Sequence, residues 1–190
     1  MRFQNLISII AIVSTALSST VLSGTISNYT VGSSATAEHK VSNSNSTISA
    51  SGCERKVKLF GISDNIGKVG LTNYHEGAGI NYLFLTGSDS PTYIYNECTK
   101  QIYILLDSTH KQFLNEAYGF VQLTVTGPAG EYGYKVDNGV RLLTLNGSSD
   151  GWIACKNTND PYNISSNLPQ LAYRGFYGTQ CEQINVEIDY

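Results

Sequence analysis

His75-Glu76 opens the pattern of a zinc-hydrolase helix, which needs a second histidine three residues after the glutamate. Gly79 stands at that position, and Gly77 and Gly79 disfavour a helix. The Gly-x-Ser-x-Gly elbow of serine hydrolases is absent, and Gly87-Ser88-Asp89-Ser90 reads as a turn. His39, His75 and His110 are the only histidines, and His39 lies in a polar N-terminal stretch. A nucleophile–histidine arrangement therefore has two candidates. Glycoside hydrolysis needs only two facing carboxylates. Glu76, Glu97, Asp107, Glu116, Glu131, Asp160 and Glu187 supply several. Carboxylates in loops more often cap turns or remain solvated. The run 157–163 (Asn-Thr-Asn-Asp-Pro-Tyr-Asn) is rich in oxygen ligands, yet such loops usually hydrogen-bond their own turns. Gly77-Ala78-Gly79 lacks the lysine of a phosphate-binding loop and reads as a sharp bend between closely packed strands. No catalytic residue, metal ligand or cofactor site is assigned on these grounds.

Aromatic side chains offer a second kind of chemistry. The chain has 13 tyrosines, and Tyr82, Tyr93, Tyr95, Tyr103, Tyr132, Tyr134 and Tyr173 fall in strand-like runs. An exposed ring stacks on the apolar C–H face of a sugar. Tyr74, Tyr82, Tyr93 and Tyr95 are the candidate glycan contacts. The competing reading is ordinary core packing of an aromatic-rich sheet.

The scaffold holding these residues begins after a leader. One positive charge at Arg2 is followed by an apolar run at 6–13, then by small residues at Ala16 and Ser18. This is the layout of a signal peptide over residues 1–18. The apolar run is short of the about 20 residues that a membrane span needs. Export places the four cysteines, Cys53, Cys98, Cys155 and Cys181, in an oxidising compartment and implies two disulfides. Three pairings are open, with Cys155–Cys181 favoured. Export also exposes four glycosylation sequons, at Asn28, Asn45, Asn146 and Asn163. Charged residues are only 14% of the chain, against about 25% in ordinary globular proteins. A net charge of -3 gives no long-range attraction to nucleic acid or anionic lipid.

Residues 19–51 are dominated by Ser and Thr and hold few large apolar side chains. That composition predicts a flexible, glycosylated arm. From residue 52 to 190 the texture becomes short strand-like runs, at 56–62, 80–86, 92–95, 101–106, 120–126, 141–146, 151–155, 170–174 and 184–190. Turn residues separate them, and Asp137-Asn138-Gly139 is a strong hairpin signal. Only 111–118 has the composition of a short helix. About nine short strands at this spacing predict an all-β domain, an antiparallel β-sandwich, with a closed barrel as second choice.

Two stretches carry a family resemblance. Residues 70–85 (Gly-Leu-Thr-Asn-Tyr-His-Glu-Gly-Ala-Gly-Ile-Asn-Tyr-Leu-Phe-Leu) and 155–163 (Cys-Lys-Asn-Thr-Asn-Asp-Pro-Tyr-Asn) resemble signatures of Candida-type yeast cell-wall mannoproteins. The likeness covers about residues 53–190. It implies a secreted, mannosylated, non-enzymatic protein of the fungal cell wall, with wall polysaccharide or neighbouring wall glycoproteins as partners. Members of the family commonly carry a lipid anchor signal after a Ser/Thr-rich stalk. This sequence ends in a strand-like run, so the expectation is retention without that anchor. The expected role is structural or adhesion-modulating. A lectin-like module is the first alternative and a secreted glycoside hydrolase the second.

Overall fold

A computed structural model describes residues 52–176, 178 and 180–190. The leader and the Ser/Thr-rich arm, with Asn28 and Asn45, lie outside the described residues. Thirteen strands form: β1 (Glu54–Ser63), β2 (Gly67–His75), β3 (Ile80–Leu85), β4 (Tyr93–Asn96), β5 (Gln101–Leu105), β6 (Lys111–Ala117), β7 (Phe120–Thr124), β8 (Tyr132–Asp137), β9 (Val140–Leu145), β10 (Ile153–Lys156), β11 (Gln170–Ala172), β12 (Gln180–Gln183) and β13 (Asn185–Asp189). A 3-10 turn, Ile164–Ser166, interrupts the connection from β10 to β11.

All thirteen strands are antiparallel to their partners, and the pairings close on themselves. From β1 the ladder runs through β2, β3, β7, β6, β5 and β4 and returns to β1. β11 lies between the diverging ends of β3 and β7, pairing Gln170 with Phe84 and Ala172 with Phe120. It is the eighth strand of a closed barrel. The expected sandwich is thereby corrected. A sandwich needs two sheets with free edges, whereas here β3–β7 and β1–β4 pairing joins the sheet end to end. β13, β9 and β8 extend from β1, and β10 and β12 extend from β11.

Alternation sorts the side chains. Leu71, Leu83, Leu85, Leu114, Val121 and Leu123 point inward and form one core with Leu59, Trp152 and Val186. Trp152 is fully buried, and its Nε1 donates to Leu143 O at 3.1 Å. The segment 111–118, the one stretch whose composition suited a short helix, is instead β6, paired on both sides and followed by a two-residue turn. Tyr118 and Gly119 both have positive φ, 56° and 84°, as a type I′ hairpin requires. The β8–β9 hairpin uses the same turn at Asn138-Gly139. The disulfides are Cys53–Cys98, which ties the start of β1 to the end of β4, and Cys155–Cys181, a directly opposed pair on β10 and β12. The favoured pairing is the one found.

Barrel closure makes a fork where β1 splays from β2 and the chain enters β4. The buried Ser90 fills it. Its Oγ accepts from Leu59 N at 3.2 Å and donates to Leu71 O at 3.1 Å. Gly70 is crossed so closely there that an added Cβ would lie 1.9 Å from Asp89 O. Ser90→Ala leaves a buried N–H without a partner and is expected to cost about 1–3 kcal/mol in urea unfolding. Gly70→Ala should cost at least as much, by overpacking against backbone. Alkylation without reduction should label none of the four cysteines, and removing Cys155–Cys181 should cost about 2–5 kcal/mol.

Candidate functional site

On the outer parity of β2, β3 and β7, Thr72, Tyr74, Ile80, Tyr82, Phe120 and Gln122 make one uncharged patch, while Phe84 and Thr124 of the same parity are buried. Tyr74 stands directly opposite Tyr82 across β2–β3. The Tyr82 and Phe120 rings stack at 5.3 Å between centroids, inclined by 22°. Phe120 meets Phe176 at 4.9 Å. Tyr74 packs edge-on against Phe84 at 5.6 Å. Phe84 is buried, while Tyr74 is 37% exposed and Tyr82, Phe120, Gln122 and Phe176 are half-buried. Tyr74, Tyr82 and Phe120 thus stand on three neighbouring strands, with Phe176, after β11, packed on Phe120.

At one end of this row the two signature-like segments meet. The β2–β3 loop turns through Gly77, Ala78 and Gly79, all at positive φ, and closes with Ile80 N donating to Gly77 O at 2.8 Å. Glu76, just before it, is buried, and its Oε2 accepts from Tyr162 N at 3.1 Å. Asp160 faces it from the loop after β10. Its carboxylate accepts from Ile164 N at 2.6 Å, from Ser165 N at 2.9 Å and from the Ser165 hydroxyl. Glu76 Oε1 is buried and accepts from no donor. Asp160 lies near enough to raise the Glu76 carboxyl.

The electrostatics agree. Burial pushes the Glu76 carboxyl above the ordinary range, against the Tyr162 N–H bond, and the neighbouring Asp160 pushes the same way. Burial alone would raise Asp160, but the Ser165 and Ile164 donors hold it below the usual value. Tyr82 is raised by burial, then by the charges of Glu76 and Asp160, which ties the clasp to the aromatic row. At the same end of β2 and β3, the exposed His75 Nδ1 lies 3.2 Å from Asn81 Oδ1. Asn81 Nδ2 donates to Gln112 Oε1 at 3.0 Å, and Gln112 Nε2 to Gly79 O at 2.9 Å.

The other sequence candidates disperse. Tyr93 and Tyr95 are core residues, 0% and 1% exposed, whose hydroxyls donate to Leu71 O and Tyr132 O. They are corrected as glycan contacts, because no ring face reaches the surface. Tyr74 and Tyr82 remain. Glu97 pairs with Arg55 at 2.6 Å, Glu187 with Lys68 at 2.9 Å, and Glu116 accepts from Gly119 N. Asp107 accepts from Thr109 and His110 in its own turn, bonds that lower it to about 2. Among the described residues no three His, Cys, Asp or Glu side chains gather as a metal site. Asn146 and Asn163 are exposed, both at positive φ in turns. Phe120 and Phe176 are additions of the structure. Phe120 shares the strand parity of Gln122 and Thr124, a signal present in the sequence. Phe176 follows β11 and has no such signal.

The clasp gives a pH dependence of known sign. A raised carboxyl lends stability that is full below its unfolded pKa and is lost as pH rises through its folded value. A depressed one lends stability that is lost as pH falls through its folded value. The pair is therefore tightest in the acidic window between the two. Urea midpoints taken from about pH 4 to 8 should fall for the native chain relative to Glu76→Gln, which keeps a donor and cannot ionise. Parallel profiles would show that ionisation of Glu76 does not loosen the pair.

No family model matches the chain, and no solved structure does. Two curated relatives do. The cell wall protein PGA30 of Candida albicans is 38% identical over 130 residues, covering 66% of this chain and 45% of the relative. The cell wall protein PGA31 of the same organism is 36% identical over 117 residues, covering 58% and 39%. The chain spans less than half the length of these relatives. Across the matched stretch it is a homologue of Candida-type cell-wall proteins.

Proposed function

We propose that this chain is a secreted, N-glycosylated protein of the fungal cell wall, with a structural or surface-interaction role and no catalytic one. The kinship with two cell wall proteins carries this reading. The chemistry of the described surface supports it. Asn146 and Asn163 stand exposed on turns, where a glycan can project. Glu76 and Asp160 are the candidate carboxylates that come together. They face each other directly, with both Asp160 oxygens engaged by its own loop. A retaining glycosidase needs about 5–5.5 Å between its two carboxyls, with the sugar between them. The aromatic row favours a second reading, a carbohydrate-binding module, which is compatible with residence in the wall.

Fractionation of cells producing the full chain tests the proposal. Immunoblots should find it in the wall and medium, above its polypeptide mass. Endoglycosidase should lower that mass in steps, with one step lost in each of Asn146→Gln and Asn163→Gln. Protein confined to the cell interior at its bare mass would reject the reading. Hydrolysis of glucan, chitin and mannan should stay at background. Turnover abolished by Glu76→Gln would make the chain an enzyme.

A further inference from the structure

We infer that the buried carboxylates Glu76 and Asp160, where the loop 157–169 meets the β2–β3 turn, are the two charged ligands of a calcium site. Glu76 is 7% exposed and Asp160 6%. Glu76 Oε2 accepts from Tyr162 N, but Oε1 is sealed from solvent and accepts from no donor. A buried charged group left without a partner costs more than a neutral one. Asp160 also has capacity left. Its Oδ1 takes Ser165 N and the Ser165 hydroxyl, whereas Oδ2 takes Ile164 N alone. A carboxylate accepts at about four lone-pair sites, so both residues have room for a further bond. Positive charge is what the pair lacks. Among the described residues neither carboxylate forms an ion pair. The basic group that acts on Glu76 is the exposed His75, and it weighs less than burial or Asp160. A proton neutralises one acid of such a pair, while a divalent cation neutralises both and fills the empty oxygen.

The donor set selects the ion. Both charged ligands are oxygen donors, and among the described residues no cysteine is free to offer a thiolate. That suits a hard cation and not zinc or copper. Calcium takes about 6–8 oxygens in adaptable geometry, and carbonyls, amides and water serve beside carboxylates. Every residue from 157 to 163 except Pro161 carries a side-chain oxygen. Two carboxylates and neutral oxygens are therefore enough, and a cluster of three acidic, histidine or cysteine side chains, which is absent from the described residues, is not required. Magnesium demands a near-ideal octahedron and keeps several of its waters. An oxygen sealed from solvent beneath a loop gives those waters no place. With two formal charges the site is expected to be weak, with a Kd of about 10⁻⁴–10⁻³ M, the range of extracellular calcium modules. Its effect is mechanical: the ion ties the loop that carries Asp160 to the end of β2 that carries Glu76.

The test is calcium titration of the purified full-length chain at neutral pH, after chelator treatment and dialysis. It is read on purified protein, so its result does not depend on where the chain resides. The urea midpoint should rise saturably with calcium, half-maximally at about 10⁻⁴–10⁻³ M. Terbium, which replaces calcium on oxygen ligands, should luminesce through Tyr82 and Tyr162 beside the pair, and calcium should displace it. Glu76→Gln keeps the shape and the acceptor for Tyr162 N, and should weaken calcium binding by about tenfold or more. Asp160→Asn should do the same; should it fail to fold, Glu76→Gln decides alone. Blocked cysteines and a cooperative urea transition would show that a variant is folded. Asp64→Asn with Asp150→Asn alters a separate acidic cleft beside Glu182, and should leave the calcium response unchanged. The assignment is overturned if the native chain shows no calcium response, or if folded Glu76→Gln responds as the native chain does. Loss of the response in the Asp64 and Asp150 variant, or an equal response to magnesium, would overturn it as well.

Discussion

Closure of the barrel depends on one shared strand. β1 pairs β4 at residues 54–57, β13 at 58–62 and β2 at 60–63. A strand serving three neighbours leaves backbone groups without a ladder partner where two of them part. Those groups are buried, so water cannot satisfy them. Ser90 supplies both functions there, accepting from Leu59 N and donating to Leu71 O, and Tyr93 Oη adds a second donor to Leu71 O at 2.9 Å. Gly70 makes the approach sterically feasible. The Cys53–Cys98 bridge holds the other end of the β1–β4 pair. Without this junction the ladder would stop at β4, and the sheet would keep the free edges of the sandwich that strand spacing alone suggests.

A closed barrel has consequences for its outer surface. The interior takes one parity of β2, β3 and β7, and the same alternation turns Tyr74, Tyr82 and Phe120 outward together. The β2–β3 hairpin and the distant β7 thereby present rings on one face. The insertion of β11 between β3 and β7 brings the chain to Phe176, the fourth ring. It also anchors the loop 157–169, which carries Asp160 and Tyr162 to Glu76. The two signature-like stretches are thus neighbours in space. Their unusual composition reflects a loop that satisfies its own backbone with side chains: Ser165 Oγ accepts from Thr158 N, and Asp160 accepts from Ile164 and Ser165.

The nine strand-like runs all became strands, because each had a β-rich apolar run bounded by turn residues. Four strands escaped notice for identifiable reasons. In β2, Gly67, Lys68, Gly70 and Asn73 dilute the alternation of Val69 and Leu71. In β6, Lys-Gln-Phe-Leu-Asn-Glu-Ala is helical in composition, and its inward Gln112 breaks the apolar period. Pairing with β5 and β7 decides its state. β8 and β12 lie at the ends of the sheet, mostly exposed, and need no apolar face. Barrel or sandwich was not legible at all, since β3–β7 and β1–β4 pairing are long-range facts with no local signal. Burial divided the tyrosines similarly. Tyr93 and Tyr95 alternate in β4 just as surface rings would, and only the closed ladder places them inside.

The clasp raises the question of why two carboxyls are buried together when apolar packing would hold a loop equally well. An apolar contact fixes a loop loosely in register, whereas the bond from Tyr162 N to Glu76 Oε2, with Asp160 held by Ile164 N and Ser165 N, requires one geometry. That requirement sets the position of the loop against the β2–β3 turn. It also makes the junction sensitive to pH in one direction, since ionisation of Glu76 would leave two buried negative charges in contact. Tyr82 feels both groups, and Tyr82 is the second ring of the aromatic row. Acidic surroundings keep the clasp neutral at Glu76 and hold Tyr82 beside an uncharged partner. Rising pH would put repulsion at the edge of the same face. The face that carries Tyr74, Tyr82 and Phe120 therefore borders a carboxyl pair whose charge changes with pH.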